Sequence, residues 1–148
     1  MIRIGSMEEK YLDQTEVIEK QNFSEPWSRK SYEDFLARED TIFLAAVEEE
    51  TEELVGYIGV LTVPPEGDIT SVSVKNTCRR LGIGTMLVQA MLRSAEERGV
   101  DTLFLEVREG NTAARTLYRH AGFEDVGLRK NYYSDPTEHA IIMKRTKK

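Results

Sequence analysis

The chain has 148 residues, 40% of them apolar, which suits one domain able to bury a core without covalent staples. Its single cysteine, Cys78, excludes an intrachain disulfide or a cysteine-held metal, and its two histidines, His120 and His139, lie too far apart for a paired metal motif. The net charge of −6 argues against nucleic-acid binding by the chain as a whole, and no apolar run approaches the roughly 20 residues of a membrane span. With no signal-like apolar core in MIRIGSMEEK, the expectation is a soluble cytoplasmic protein that uses no metal.

In chain order, Ile2 to Ile4 reads as a short strand. Ser6-Met7-Glu8-Glu9 fits an S-x-x-E capping box, and Tyr11, Thr15 and Ile18 mark one face of the helix it would start. Ser28 can cap a second helix carrying Tyr32, Phe35 and Leu36. Ile42 to Val47 and Leu54 to Val63 form a hairpin around a solvated acidic tip, Glu48 to Glu53, with Pro64-Pro65-Glu66-Gly67 ending it. Asp68 to Val74 is a further strand. It leads through Lys75 to Arg80 into a glycine-bearing loop and a helix that Gly99 stops after Arg98. Thr102 to Arg108 is a strand with Leu103, Leu105 and Val107 on one face and Phe104, Glu106 and Arg108 on the other. Asn111 caps a helix with Ala113, Ala114, Leu117 and Tyr118 that ends before Gly122. Two last strands flank Lys130 to Thr137, the final one holding Ala140 to Met143. This order predicts one α/β domain over residues 1–148, a mixed sheet with helices on both faces.

Arg79-Arg80-Leu81-Gly82-Ile83-Gly84 sets two fixed cations and two glycines just before a helix. Free amides at a helix start, the helix dipole and the absence of a Cβ suit a pyrophosphate; a plain tight turn also fits the glycines taken alone. The missing Gly-Lys-Ser/Thr ending excludes a Walker loop, and Leu87 stands where a dinucleotide fingerprint needs glycine. Residue types alone leave Glu106 open between a half-exposed partner of Arg108 or Arg129 and a carboxylate whose burial makes it a base near neutrality. Tyr118 can be a core aromatic or a proton donor, and Trp27, Tyr132 and Tyr133 can be core or the walls of a groove. Cys78 has no adjacent activating histidine and is not read as a nucleophile.

The stretch Arg79 to Gly84 resembles the R/Q-x-x-G-x-G/A signature of the Gcn5-related N-acetyltransferases. Pro26-Trp27-Ser28, Leu103 to Arg108 with Asn111, Leu117-Tyr118 with Gly122-Phe123, Arg129 to Tyr133 and Ala140 to Met143 resemble the bacterial ribosomal-protein-alanine N-acetyltransferase branch. The resemblance implies a mostly antiparallel sheet with a splayed central strand pair. It implies acetyl-coenzyme A held by Val72, Ser73, Val74, Arg79, Arg80, Leu81, Gly82, Ile83, Gly84, Thr85 and Asn111. It further implies Glu106 as general base, Tyr118 as general acid, and Trp27, Tyr132 and Tyr133 against the acceptor. The acceptor it implies is the N-terminal alanine of a basic ribosomal protein, reached by direct transfer. Ser71, where an asparagine is common, and His139, where an acid is common, depart from the pattern and bear on the acceptor. A small-molecule amine such as a polyamine is the alternative acceptor, and a sensor of acyl-coenzyme A without turnover the alternative class.

Overall fold

The computed structural model describes residues 1–78 and 81–147. Strands β1 (Ile2–Ser6), β2 (Thr41–Glu48), β3 (Glu53–Val63) and β4 (Glu66–Val74) run antiparallel, each beside the next. Helices α1 (Leu12–Asn22) and α2 (Arg29–Ala37) lie between β1 and β2 in the chain. Helix α3 (Ile83–Glu97) then crosses over to β5 (Thr102–Arg108), which is parallel to β4 as such a connection requires. After α4 (Thr112–His120), β6 (Glu124–Tyr133) and β7 (Glu138–Thr146) form a hairpin, with β7 inserted next to β5. The sheet order is β1-β2-β3-β4-β5-β7-β6, so the expected mixed, mostly antiparallel sheet is present.

Helices cover both faces, and β2 shows why its seven residues 41–47 are all buried. Ile42, Leu44 and Ala46 join the core beneath α3 and α4, while Phe43, Ala45 and Val47 join a second core beneath α1 and α2. The second core is aromatic. Tyr32 stacks on Phe43, and the pairs Tyr32 with Tyr57, Phe35 with Phe43 and Phe43 with Tyr57 pack edge-on, at centroid distances of 5.3 to 6.5 Å.

The feature that shapes the site is the short contact between β4 and β5. Their pairing is confined to Glu66↔Thr102, Gly67↔Leu103 and Asp68↔Phe104. Just beyond, Gly59 stands opposite Ser71 and Val60 opposite Ile69, which leaves Thr70 as a bulge in β4. A bulge bends its strand, and here it turns β4 away from β5. The expected splay follows, and among the described residues β4 has no ladder partner on its β5 side after Asp68.

Several local expectations hold. Ser28 Oγ accepts from Ser31 N at 3.1 Å, Asn111 Oδ1 accepts from Ala114 N at 3.1 Å, and Gly99 takes φ +76° just past α3. The capping box at Ser6 does not form: Ser6 pairs with Leu44 as the last residue of β1, and a single 3₁₀ turn, Glu9–Tyr11, precedes α1 without a side-chain cap. The turn at Pro64 is shorter than expected, since Glu66 and Gly67 already belong to β4. The acidic tip is not simply solvated either. Glu48 binds the N-terminal ammonium, Glu52 meets Arg3 and Lys10, and Glu53 pairs with Lys75.

Candidate active site

Helix α3 begins at Gly82, which takes φ +78° with open space where a Cβ would stand. The first amide bonded back into the helix is that of Met86, to Gly82 O at 3.0 Å. The amides of Ile83, Gly84 and Thr85 precede it; their i−4 positions lie before the helix, so no helical carbonyl serves them. Amides at the positive end of a helix dipole suit an anion. Leu81 and Thr85 are exposed beside it, while Ile83 is buried in the core. Gly84 serves packing as well, because a Cβ there would meet Leu117 Cδ2 of α4 at 3.2 Å. Arg79 and Arg80 lie outside the described residues.

On β4, Val72 and Val74 are half-buried against the core. Ser73 is buried, and its hydroxyl accepts from Asn22 Nδ2, which also donates to Val74 O at 3.1 Å. The end of α1 is thereby tied to the end of β4. Ser71 Oγ is buried, beside the Tyr32 phenol. An unpaired strand edge next to a helix N-terminus fits an extended ligand that carries phosphates at one end. Asn111 is exposed at the start of α4, beyond its capping bond.

Of the two readings left open for Glu106, the half-exposed partner of Arg129 is the one observed. It sits on the face of β5 opposite Leu105 and Val107, and its side chain is 35% exposed. Oε1 lies 3.7 Å from Arg129 Nε, and Oε2 accepts from the Tyr132 hydroxyl at 3.4 Å. Tyr118 is buried, its ring edge-on to Phe123 at 5.7 Å. Burial first, and the Tyr133 phenol second, push the Tyr118 phenol well above its ordinary range. It stays protonated at neutral pH. Tyr133 is pushed up to about 12, chiefly by burial and then by Tyr132 and Glu106.

Trp27 is half-exposed, in the connection between α1 and α2, with its ring 5.1 Å from Tyr32 and 5.9 Å from Phe35. Tyr132 and Tyr133 pack edge-on at 5.0 Å at the end of β6. Arg129 lies over the Tyr132 ring at 5.6 Å, and His139 Nδ1 accepts from Asn131 N at 2.9 Å, which holds the irregular end of β6 that carries both tyrosines.

Two residues that anchor this region escaped the sequence reading. Glu19 is 3% exposed; it accepts from the Tyr32 hydroxyl at 2.8 Å, from the Tyr57 hydroxyl, and from Trp27 N at 3.2 Å. A signal was there: Thr15, Ile18 and Glu19 stand at i, i+3 and i+4, on the buried stripe of α1. Arg108, read only as a partner for Glu106, instead binds the connection between β6 and β7 and reaches Ser24. Its residue type carried no hint of those partners. Among the described residues there is no group of three side chains able to hold a metal ion.

Residues 12–123 match the family model described as Acetyltransferase (GNAT) family. The chain is 32% identical over 145 residues, 97% of its length and 96% of the relative's, to the [ribosomal protein bS18]-alanine N-acetyltransferase of Escherichia coli K12. The crystal structure of the ribosomal-protein-S18-alanine N-acetyltransferase from Escherichia coli superposes with a TM-score of 0.89 at 31% identity, covering 99% of this chain and 94% of that one. The acetyl-CoA complex of Arabidopsis thaliana NAA60 shares the fold at a TM-score of 0.89 and 18% identity, with 99% of each chain covered. Fold, matched family model and long alignment agree that the chain belongs to the acetyltransferase (GNAT) family and is an acetyl-CoA-dependent acetyltransferase.

Proposed function

We propose that this enzyme acetylates the α-amine of an N-terminal alanine on a basic ribosomal protein in the cytoplasm, by direct transfer within a ternary complex. The observation that carries the reading is the parting of β4 from β5 beside Glu106, which opens a slot between a strand edge and a carboxylate. The naming of similar proteins as ribosomal-protein-alanine acetyltransferases supports the acceptor. In this account the amides of Ile83, Gly84 and Thr85, with Arg79, Arg80, Leu81 and Gly82, hold the pyrophosphate. The Val72 to Val74 backbone holds the pantetheine arm and the carbonyl oxygen, and Asn111 contacts the donor from the start of α4.

Glu106 takes the proton of the acceptor ammonium, whose reference pKa is about 7.7 to 8.0, directly or through water. The neutral amine nitrogen then bonds to the acetyl carbon, the carbon–sulfur bond breaks, Tyr118 donates its phenolic proton to the departing sulfur, and the second proton lost by the nitrogen passes through solvent to restore the Tyr118 phenol. No covalent enzyme intermediate is needed, and Cys78 has no part. Trp27, Tyr132 and Tyr133 form the walls that favour a small first side chain. Nucleic acid and membranes have no role in this account. A polyamine acceptor would use the acidic tip, but Glu48, Glu52 and Glu53 are already paired with cations, which favours the peptide reading. The test is transfer of labelled acetyl to peptides that differ only at the first residue, with a polyamine alongside. Turnover of the alanine peptide above the others supports the reading, and turnover of the polyamine alone refutes it.

A further inference from the structure

We infer that Arg108 is a positioning residue that ties together the two loops flanking the acceptor groove and so sets the width of that groove. The inference rests on the proposed acceptor site. Arg108 leaves β5 two residues after Glu106, on the same face of the strand. Its planar guanidinium has five donors in a fixed fork, and they are spent on loops rather than on a neighbouring carboxylate alone. Nη1 donates to Pro136 O at 3.1 Å and to Glu138 Oε1 at 3.3 Å. Nη2 donates to Ser134 O at 3.2 Å and reaches Ser24 Oγ at 3.5 Å. The flat face of the group lies 4.4 Å from the centre of the Tyr133 ring.

These contacts reach three segments: the end of β6, the connection into β7, and the connection between α1 and α2. Two further bonds join the same loops directly. Ser134 Oγ donates to Glu25 Oε1, and Ser24 Oγ donates to Ser134 O at 3.5 Å. Trp27 follows Ser24 and Glu25 on one side, and Tyr133 precedes Ser134 on the other. The two walls of the groove are thus fastened at one point, from the strand that also carries Glu106. Glu138 completes the knot, since its other oxygen accepts from Gly110 N at 2.6 Å in the turn leading to α4. A lysine in place of Arg108 keeps the charge but presents one ammonium, which does not span acceptors in all three segments.

The test uses Arg108→Met, Arg108→Lys and Ser24→Ala in the full chain, with two independent readouts. Trp27 is the only tryptophan, so its fluorescence reports one wall without any acceptor present. Acrylamide quenching of that fluorescence rises in both Arg108 variants and less in Ser24→Ala. With an alanine-first peptide, KM rises by about tenfold or more in the Arg108 variants, while kcat stays within about threefold and acetyl-CoA affinity is unchanged. Discrimination between alanine-first and leucine-first peptides also narrows. Should Arg108→Met fail to fold, Arg108→Lys and Ser24→Ala still decide the matter. Unchanged Trp27 quenching, full rescue by lysine, or a loss of acetyl-CoA affinity equal to the loss for peptide overturns the inference. A wild-type enzyme inactive on every peptide refutes the proposed acceptor instead, and the quenching result then still judges the tie.

Discussion

The Tyr132 hydroxyl donates to Glu106 Oε2 at 3.4 Å while Arg129 Nε stands 3.7 Å from Oε1, so each oxygen of this carboxylate faces a group from β6. The arrangement follows from strand order. Ile142 of β7 is opposite both Glu106 of β5 and Gly127 of β6, which brings side chains of the edge strand across to the central one. In the proposed reaction, Tyr132 and Arg129 are the groups that an acceptor amine meets beside Glu106.

Glu106→Gln keeps the size of the side chain and removes its ability to take a proton. The expected result is a fall in kcat of roughly 10²-fold with acetyl-CoA affinity unchanged, measured by steady-state kinetics and calorimetry. Raising the pH above the amine's reference value of about 8 recovers part of the loss, because the acceptor then arrives neutral. A variant with full turnover at pH 7 contradicts the assignment.

Gly82 offers a cleaner probe of the anion seat than Gly84, whose missing Cβ also serves contact with Leu117. Aspartate tolerates the left-handed backbone better than most residues, meets open space at Gly82, and places a favourable charge at the start of α3. Gly82→Asp is therefore expected to fold with some loss of stability, because φ +78° strains any side chain, and to bind coenzyme A about tenfold or more weakly, a change of about 1.4 kcal/mol. Equal affinity by calorimetry, with the fold intact, removes this helix start from the donor site.

How much of this was legible in the sequence depended on range. Ser28, Asn111 and Gly99 act on their own neighbours within a turn, so their residue types were enough. Ser6 misled because the strand pairing Ser6↔Leu44, set by a partner far along the chain, took the residue that a cap would need. For Glu106 the residue types left burial and half-exposure open, and the half-exposed partner of Arg129 is what the fold produces. Leu103, Leu105 and Val107 already claimed the covered face of β5, which left Glu106 on the open one. The bulge at Thr70 and the partners of Arg108 arise from tertiary register and loop packing, which no local pattern encodes.

Glu19 carries the second core. Glu19→Ala leaves the Tyr32 and Tyr57 hydroxyls and the Trp27 amide without their acceptor, and unsatisfied buried donors cost about 1–3 kcal/mol each. The expected loss is about 3 kcal/mol or more in urea unfolding, with a change in Trp27 emission. A loss below about 1 kcal/mol shows that the cluster relaxes and that its hydrogen bonds do not hold the fold.

Stability is expected to fall in alkali. Burial is the leading cause that raises the phenols of Tyr32, Tyr57 and Tyr118, while in the unfolded chain they ionise near their ordinary value of about 10. Above that pH the unfolded state holds fewer protons than the native one, so the stability present below pH 10 declines as pH rises further. Melting temperatures from pH 8 to 11 measure this, and Tyr118→Phe is expected to flatten the decline. An unchanged melting temperature across that range contradicts the burial of these hydroxyls.

The most direct measurement is mass spectrometry of a peptide that begins with alanine, followed by a basic residue and containing one internal lysine, after incubation with the enzyme and acetyl-CoA. A basic peptide is chosen because the net charge of −6 draws it in at low salt. The account predicts one acetyl group on the α-amine, a rate that falls as salt rises, and a much lower rate when acidic residues replace the basic ones. Acetylation of the lysine side chain instead, or equal rates for acidic and basic peptides at low salt, would contradict it.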